Sequence, residues 1–276
     1  MKHSEGQFKG CDSLDLYYQD WLPDGGPKAV LLVVHGLGEH GGRYGNLVDY
    51  FVPRGYGVYS YDQRGHGKSA GVKGYVERFA HFSYDLDIML GLVRRRHPKV
   101  KIFLVGHSIG GLVAVAYAAK HREEFDGLIL SGATLSPPAD VAPATIFAAR
   151  MLSSVMPKTG LYVIDAEGIS QDQNVVNAYK SDPLVYRGKI RARLGVELLK
   201  TMDMVSRMAP EIRMPVLIMH GAADRLASPE GSKMLYREVN SADKTLKIYE
   251  GYHHEIFNEP GRGQVLADVA SWLELH

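Results

Sequence analysis

The chain has 276 residues, 45% of them hydrophobic and 23% charged, with 32 Lys plus Arg against 31 Asp plus Glu. At this length a soluble α/β chain buries roughly three quarters of its unfolded surface without metal or disulfide staples, and a formal net charge of +1 gives no electrostatic reason to bind nucleic acid. The single cysteine, Cys11, rules out an intramolecular disulfide and fits a reducing, cytoplasmic setting. Residues 1–10 lack the apolar core of a secretion signal, and the longest strongly apolar run, Ala29 to Val34, is far short of the ~20 residues of a membrane span.

In chain order, Gln7 to Trp21 alternates apolar and polar residues around Asp12-Ser13, a hairpin signal for antiparallel strands at a sheet edge. Six aliphatic or β-branched runs follow: Lys28 to His35, Tyr56 to Asp62, Lys101 to Gly106, Phe125 to Ser131, Pro215 to His220 and Thr245 to Glu250. Continuous runs such as AVLLVV suit strands buried on both faces of a parallel sheet. Between them, Asn46 to Pro53, Ser83 to Arg96 and Gly111 to His121 carry helical apolar spacing, and Arg94-Arg95-Arg96-His97 reads as a solvated helix end. This rhythm predicts a doubly wound α/β domain. It breaks between Ser136 and about Ala209. There, Met-rich helical stretches at Ala144 to Met156 and Leu194 to Met208 are punctuated by Pro137, Pro138, Pro143 and Pro157. The expected division is a core of residues 1–135 and 210–276 with a helical cap, or lid, over 136–209, above the sheet edge where such folds bind ligands.

Two phosphate-binding patterns compete for the glycines. Gly36, Gly38 and Gly41 follow a strand with dinucleotide-like spacing, and Asp62 ends the next strand. The strand, however, reads as the third of the sheet, and His35 precedes the loop. Gly67-Lys68-Ser69 would need a glycine at position 62 to form a P-loop, and Asp62 stands there. The sharper signal is Gly106-His107-Ser108-Ile109-Gly110 between a strand and an amphipathic helix, the order of a nucleophile elbow. A nucleophilic Ser108 needs a base and an orienting carboxylate, and on such folds these follow in that chain order, acid then histidine. Asp224, just past the strand ending MHGAAD, supplies the acid, and of the pair His253-His254 the expected base is His254. The glycine-rich turn His35-Gly36-Leu37-Gly38 then serves as the oxyanion loop, with the amides of Leu37 and Ile109 as donors. No HExxH or clustered Cys/His spacing is present, so neither metal nor cofactor is expected.

The segments HGLGEHGGRY (35–44), DQRGHGKS (62–69), GHSIGG (106–111), SDPLVYRGK (181–189), GAADRL (221–226) and DKTLKIYEGYHHE (243–255) carry a resemblance over nearly the full chain. In them the chain resembles the monoacylglycerol lipase family of the α/β-hydrolase superfamily. The resemblance implies a serine hydrolase that cleaves monoacylglycerols to fatty acid and glycerol, the runner-up being a broad carboxylesterase or lysophospholipase. The family's catalytic triad falls on Ser108, Asp224 and His254, and its polar pair near the glycerol end of the site on Glu39 and Arg43. Two positions depart from the animal enzymes: Ala227 replaces a cysteine, and Phe257 replaces a histidine close to the glycerol pocket. Ile146, Met151, Leu152, Val155 and Leu184 are the candidate walls of an acyl channel within the lid, which is also expected to touch a membrane surface transiently.

Overall fold

The apolar runs become strands because both of their faces meet apolar helices. In this computed structural model, which describes residues 1–137 and 143–276 with only the backbone for 143–145, strand β3 (Ala29–Val34) is buried throughout. Its residues alternate between two cores. Val30, Leu32 and Val34 pack with Leu86 and Met89 of α2 (Ala80–Arg96) and Leu112 of α3 (Ile109–Ala118), whereas Leu31 and Val33 pack with Leu47 and Phe51 of α1 (Gly45–Phe51) and Val265 and Trp272 of α8 (Arg262–Leu273). The expected break at Pro138 lies outside the described residues.

The hairpin signal corresponds to β1 (Lys2–Lys9) and β2 (Asp15–Leu22), paired antiparallel. The other strands are β4 (Tyr56–Tyr61), β5 (Lys101–His107), β6 (Gly127–Ser131), β7 (Gly160–Tyr162), β8 (Ile190–Arg191), β9 (Val216–Gly221) and β10 (Lys244–Tyr249). The main sheet runs β1-β2-β4-β3-β5-β6-β9-β10, and every pair from β4 to β10 is parallel. From β3 the chain goes first to β4 on one side and then to β5 on the other. The carboxyl ends of β3 and β5 therefore flank the point where the winding reverses, the crevice in which open α/β sheets bind ligands.

Between β6 and β9 the rhythm is interrupted by an inserted segment containing α4 (Pro143–Val155), α5 (Gln173–Ser181) and α6 (Ala192–Met208), with β7 and β8 as a short antiparallel pair. Two of these helices match the expected stretches to within two residues, while α5 and the small pair add to them. α6 buries Leu194, Leu198, Met202 and Val205 in the core that α3 shares. Helix α7 (Pro229–Glu238) lies between β9 and β10. Among the described residues no helix is long and apolar enough to cross a membrane.

Candidate active site

Ser108 sits where β5 turns into α3, and its backbone adopts φ 55° and ψ −124°. That left-handed conformation is unfavourable for a residue with a Cβ, and the surroundings hold it there. The Ser108 amide donates to the Ser131 carbonyl at 3.1 Å and its own carbonyl accepts from the Gly111 amide at 3.0 Å. The turn is so tight that a Cβ on Gly110 would collide with the Val34 and His35 carbonyl oxygens, and one on Gly106 would lie 2.7 Å from Gly111 Cα. Small residues at both places are thus a steric requirement. The Ser108 hydroxyl is 3.3 Å from that of Thr134 and faces a cavity of about 520 Å³.

His254 lines the same cavity, and its ring contacts Asp224: Nδ1–H donates to Oδ2 at 2.7 Å. In the neutral ring Nε2 is then free to accept a proton. Burial alone would raise the Asp224 pKa, but the charge of His254, the hydrogen bonds from both histidines that touch it and the Ala227 amide hold it well below the usual carboxylate range. For His254 burial opposes protonation, and the Asp224 carboxylate outweighs it, leaving the pKa above the ordinary histidine value. His107, with its ring centroid 4.7 Å from that of His254, is pushed down to about 4 by burial and by His254. His253 is not part of the cavity wall; its backbone amide donates to Glu259 Oε1 at 3.2 Å.

Leu37 and Ile109 both line the cavity beside Ser108. Ile109 is the first residue of α3, where an amide lies outside the helix's own ladder and is available to an oxygen atom. The Leu37 loop is held from below, since the Gly36 amide donates to Glu39 Oε1 at 2.5 Å.

Glu39 lines the cavity, whereas Arg43 does not. Arg43 is buried between two carboxylates, with Nη2 donating to both Glu255 oxygens at 2.8 and 2.7 Å and Nε 3.4 Å from Glu39 Oε2. Burial would raise the Glu39 pKa, but His107, Arg43, His35 and the Gly36 amide bring it down to about 2, while burial holds Glu255 up despite Arg43. Glu39 Oε1 also accepts from the Tyr44 hydroxyl at 2.8 Å. Arg43 thus links Glu39 to Glu255.

The phase of α4 places the expected channel-wall residues away from the cavity. Among the described side chains of α4, Ala149 lines it and Ile146, Met151, Leu152 and Val155 do not. Phe147, Met151 and Val155, spaced four apart on one helical stripe, are 66%, 56% and 78% exposed. Leu184 is half-buried outside the cavity. The apolar walls come instead from Leu161, Ile164, Ile190, Leu198, Leu199 and Met202. Phe257 is buried in the core against α8 and borders a second cavity of about 10 Å³, room for one water, together with Glu39, Tyr44, His107, Glu255 and Asn258.

Glu255, His220 and Thr134 were not singled out from the sequence. Glu255 could have been suspected from its place beside His254, and His220 from its spacing of four before Asp224. Thr134 carries no such signal. Cys11, Asp12 and His81 lie close enough together to share an ion, but Arg64 Nη2 already donates to Cys11 Sγ at 2.9 Å and puts a positive charge there.

A family model described as serine aminopeptidase, S33 (Hydrolase_4) matches residues 25–261. The monoacylglycerol lipase of Mycolicibacterium smegmatis is 36% identical over 99% of this chain and 98% of the relative, and the human monoglyceride lipase 36% identical over 90% of this chain and 82% of the relative. Among solved structures, the monoacylglycerol lipase of Paleococcus ferrophilus superposes with a TM-score of 0.82 at 30% identity, covering 99% of this chain and 98% of that one. A soluble variant of the Saccharomyces cerevisiae monoglyceride lipase, in complex with a substrate analog, superposes with a TM-score of 0.88 at 27% identity, covering 100% and 95%. The chain is a serine hydrolase of the α/β-hydrolase fold and belongs to the monoacylglycerol lipase family.

Proposed function

We propose that the chain hydrolyses monoacylglycerols to fatty acid and glycerol through an acyl-enzyme intermediate, with Ser108 as nucleophile, His254 as general base and acid, and Asp224 as its orienting carboxylate. Ser108 Oγ attacks the ester carbonyl while His254 Nε2 takes its proton and then passes it to the departing glycerol oxygen. A water activated by His254 releases the fatty acid in the second half. The amides of Leu37 and Ile109 donate to the oxygen that becomes negative in each tetrahedral intermediate. The observation that carries this reading is the cavity itself: a serine in a strained elbow and a histidine paired with a buried carboxylate share a space whose remaining walls are largely apolar.

Residues 136–209 act in this reading as the lid. Their inner side gives the acyl chain its apolar wall, and each methylene buried there contributes up to ~0.8 kcal/mol. The outward stripe of Phe147, Met151 and Val155, with Leu161, Tyr162 and Val163 also exposed, is the surface that touches a membrane carrying the substrate, so the enzyme works as a peripheral protein. Glu39, whose carboxylate faces the cavity from the oxyanion loop, accepts from a glycerol hydroxyl. Hydrolysis rates across mono-, di- and triacylglycerols of graded chain length test the reading. A kcat/KM that climbs with chain length on monoacylglycerols and collapses on the bulkier esters supports it. Equal rates on short 4-nitrophenyl esters and long monoacylglycerols would point to a broad carboxylesterase instead.

A further inference from the structure

His220 is the penultimate residue of strand β9, four residues before Asp224, and it is wholly buried, as is Ser232 in the first turns of α7. Its Nε2 lies 3.0 Å from Asp224 Oδ2 and 3.0 Å from the Ala227 carbonyl oxygen, and its Nδ1 lies 2.7 Å from the Ser232 hydroxyl. Both neighbours of Nε2 are acceptors, so Nε2 carries the proton, and in the neutral ring Nδ1 then accepts from Ser232. Asp224 is thereby filled on both oxygens: Oδ1 accepts from the Leu226 and Ala227 amides at 2.8 and 2.9 Å, and Oδ2 accepts from His254 and from His220. The carboxylate has no freedom to rotate without breaking at least two of these bonds.

We propose that His220, held in its tautomer and orientation by Ser232, is a positioning residue that fixes the Asp224 carboxylate and shares with His254 the oxygen that orients the base. The proposal rests on the roles given above to Asp224 and His254. It turns the triad into a row of five groups, Ser232, His220, Asp224, His254 and Ser108, running from α7 to the cavity. Two imidazoles on one oxygen also divide its basicity. Each hydrogen bond to the ionised form makes the carboxylate a weaker attractor of the next proton, so His220 tempers how strongly Asp224 favours the imidazolium of His254. The other charged or titratable groups facing His254 are Glu255 beside it, Glu39 on the oxyanion loop and His107 at the end of β5, and none of them is altered in the test.

The test compares His220→Leu, His220→Gln and Ser232→Ala with the parent in the full-length protein, on a 4-nitrophenyl ester that any serine esterase accepts. Leucine removes the donor. Glutamine can place an amide N–H near the position of Nε2 and an oxygen toward Ser232. His220→Leu is expected to lower kcat about tenfold, the scale of a hydrogen bond to a charged group, with KM nearly unchanged. It should also move the acid limb of kcat/KM upward by a few tenths of a pH unit. His220→Gln should restore both, and Ser232→Ala should shift the limb in the same direction by less. An acid limb that coincides with the parent's in both His220→Leu and Ser232→Ala overturns the proposal, as does a glutamine variant no better than leucine. Should the leucine variant fail to fold, an unmoved limb in Ser232→Ala is sufficient to overturn it. Failure of the substrate reading appears separately, as a loss confined to monoacylglycerols, and failure of the triad reading as an Asp224→Asn variant of full activity.

Discussion

The sheet edge around Ser108 and the inserted segment around α4 stand on the same cavity but are built on opposite principles. At the sheet edge the key groups are held by several directed bonds: Asp224 accepts four hydrogen bonds, Glu39 anchors Gly36 and Tyr44, and the Ser108 backbone is pinned in a strained elbow. In the inserted segment the contacts to the cavity are mostly apolar and non-directional, with Tyr162, Tyr179 and Arg191 among them, and α4 gives one face to solvent. The lesson is a division of labour. Bond-making geometry is held by strand ends, where misplacement by a fraction of an ångström matters, and substrate fit is left to side chains that can slide.

The largest test of that contrast removes the reacting groups. Ser108→Ala and His254→Ala should each lower kcat by about 10⁶ and Asp224→Asn by about 10⁴, with the denaturation curve unchanged for Ser108→Ala; the losses should not multiply in combination, and a double variant much worse than either single would show that the residues act separately. Next comes Arg43→Met, which strands the Glu39 and Glu255 carboxyls in the interior without their cation. A loss of about 3 kcal/mol and a Tm lower by roughly 10 °C are expected, together with equal falls in kcat/KM on monoacylglycerol and on a 4-nitrophenyl ester of the same acid. Selective damage to the monoacylglycerol would instead make Arg43 a reader of the headgroup.

On the other side of the comparison, replacing Phe147, Met151 and Val155 together by serine should leave hydrolysis of a dissolved short ester within about a factor of two, because the stripe lies outside the cavity. Activity on vesicle-borne substrate and co-sedimentation with those vesicles should both fall about tenfold; unchanged sedimentation would remove the membrane role. The smallest effect is the pH profile. Because the His254 pKa is raised and the neutral ring is the base, kcat/KM should fall as pH drops through a midpoint above about 6.5. The same sign holds for stability: the Asp224–His254 ion pair adds to it at low pH and is lost as pH rises through that midpoint, which a Tm titration of Ser108→Ala can follow.

Much of the fold is legible in the sequence. The AVLLVV and VLIM runs announce strands buried on both sides because only such strands dispense with alternation, and the glycines around Ser108 announce an elbow because nothing larger fits. What stayed hidden has two physical causes. α4 carries apolar residues around much of its circumference, so spacing alone could not tell which stripe would turn inward, and it fell to Ala149, a residue too small to stand out. Glu255 finds Arg43 across a separation of 212 residues, a contact that exists only once the fold has closed. The two polar neighbours of the oxyanion loop were visible, but the third member that changes their meaning was not.

The turn that carries Leu37 does not end at the sheet: the Gly38 carbonyl accepts from the Tyr186 amide at 2.7 Å, and His40 Nε2 lies 2.8 Å from Asp182 Oδ2, so two contacts stitch it to the stretch after α5 in the inserted segment. The insertion is therefore not an interchangeable module. A graft from another hydrolase, joined cleanly at its two ends, would still bring a stranger to Gly38, and the chimera would be expected to lose turnover before it gained a new substrate unless residues 182–186 travelled unchanged. A change of substrate would be tolerated more readily in the walls near Leu161, Leu198 and Leu199 than in the seam that joins Gly38 and His40 to the inserted segment.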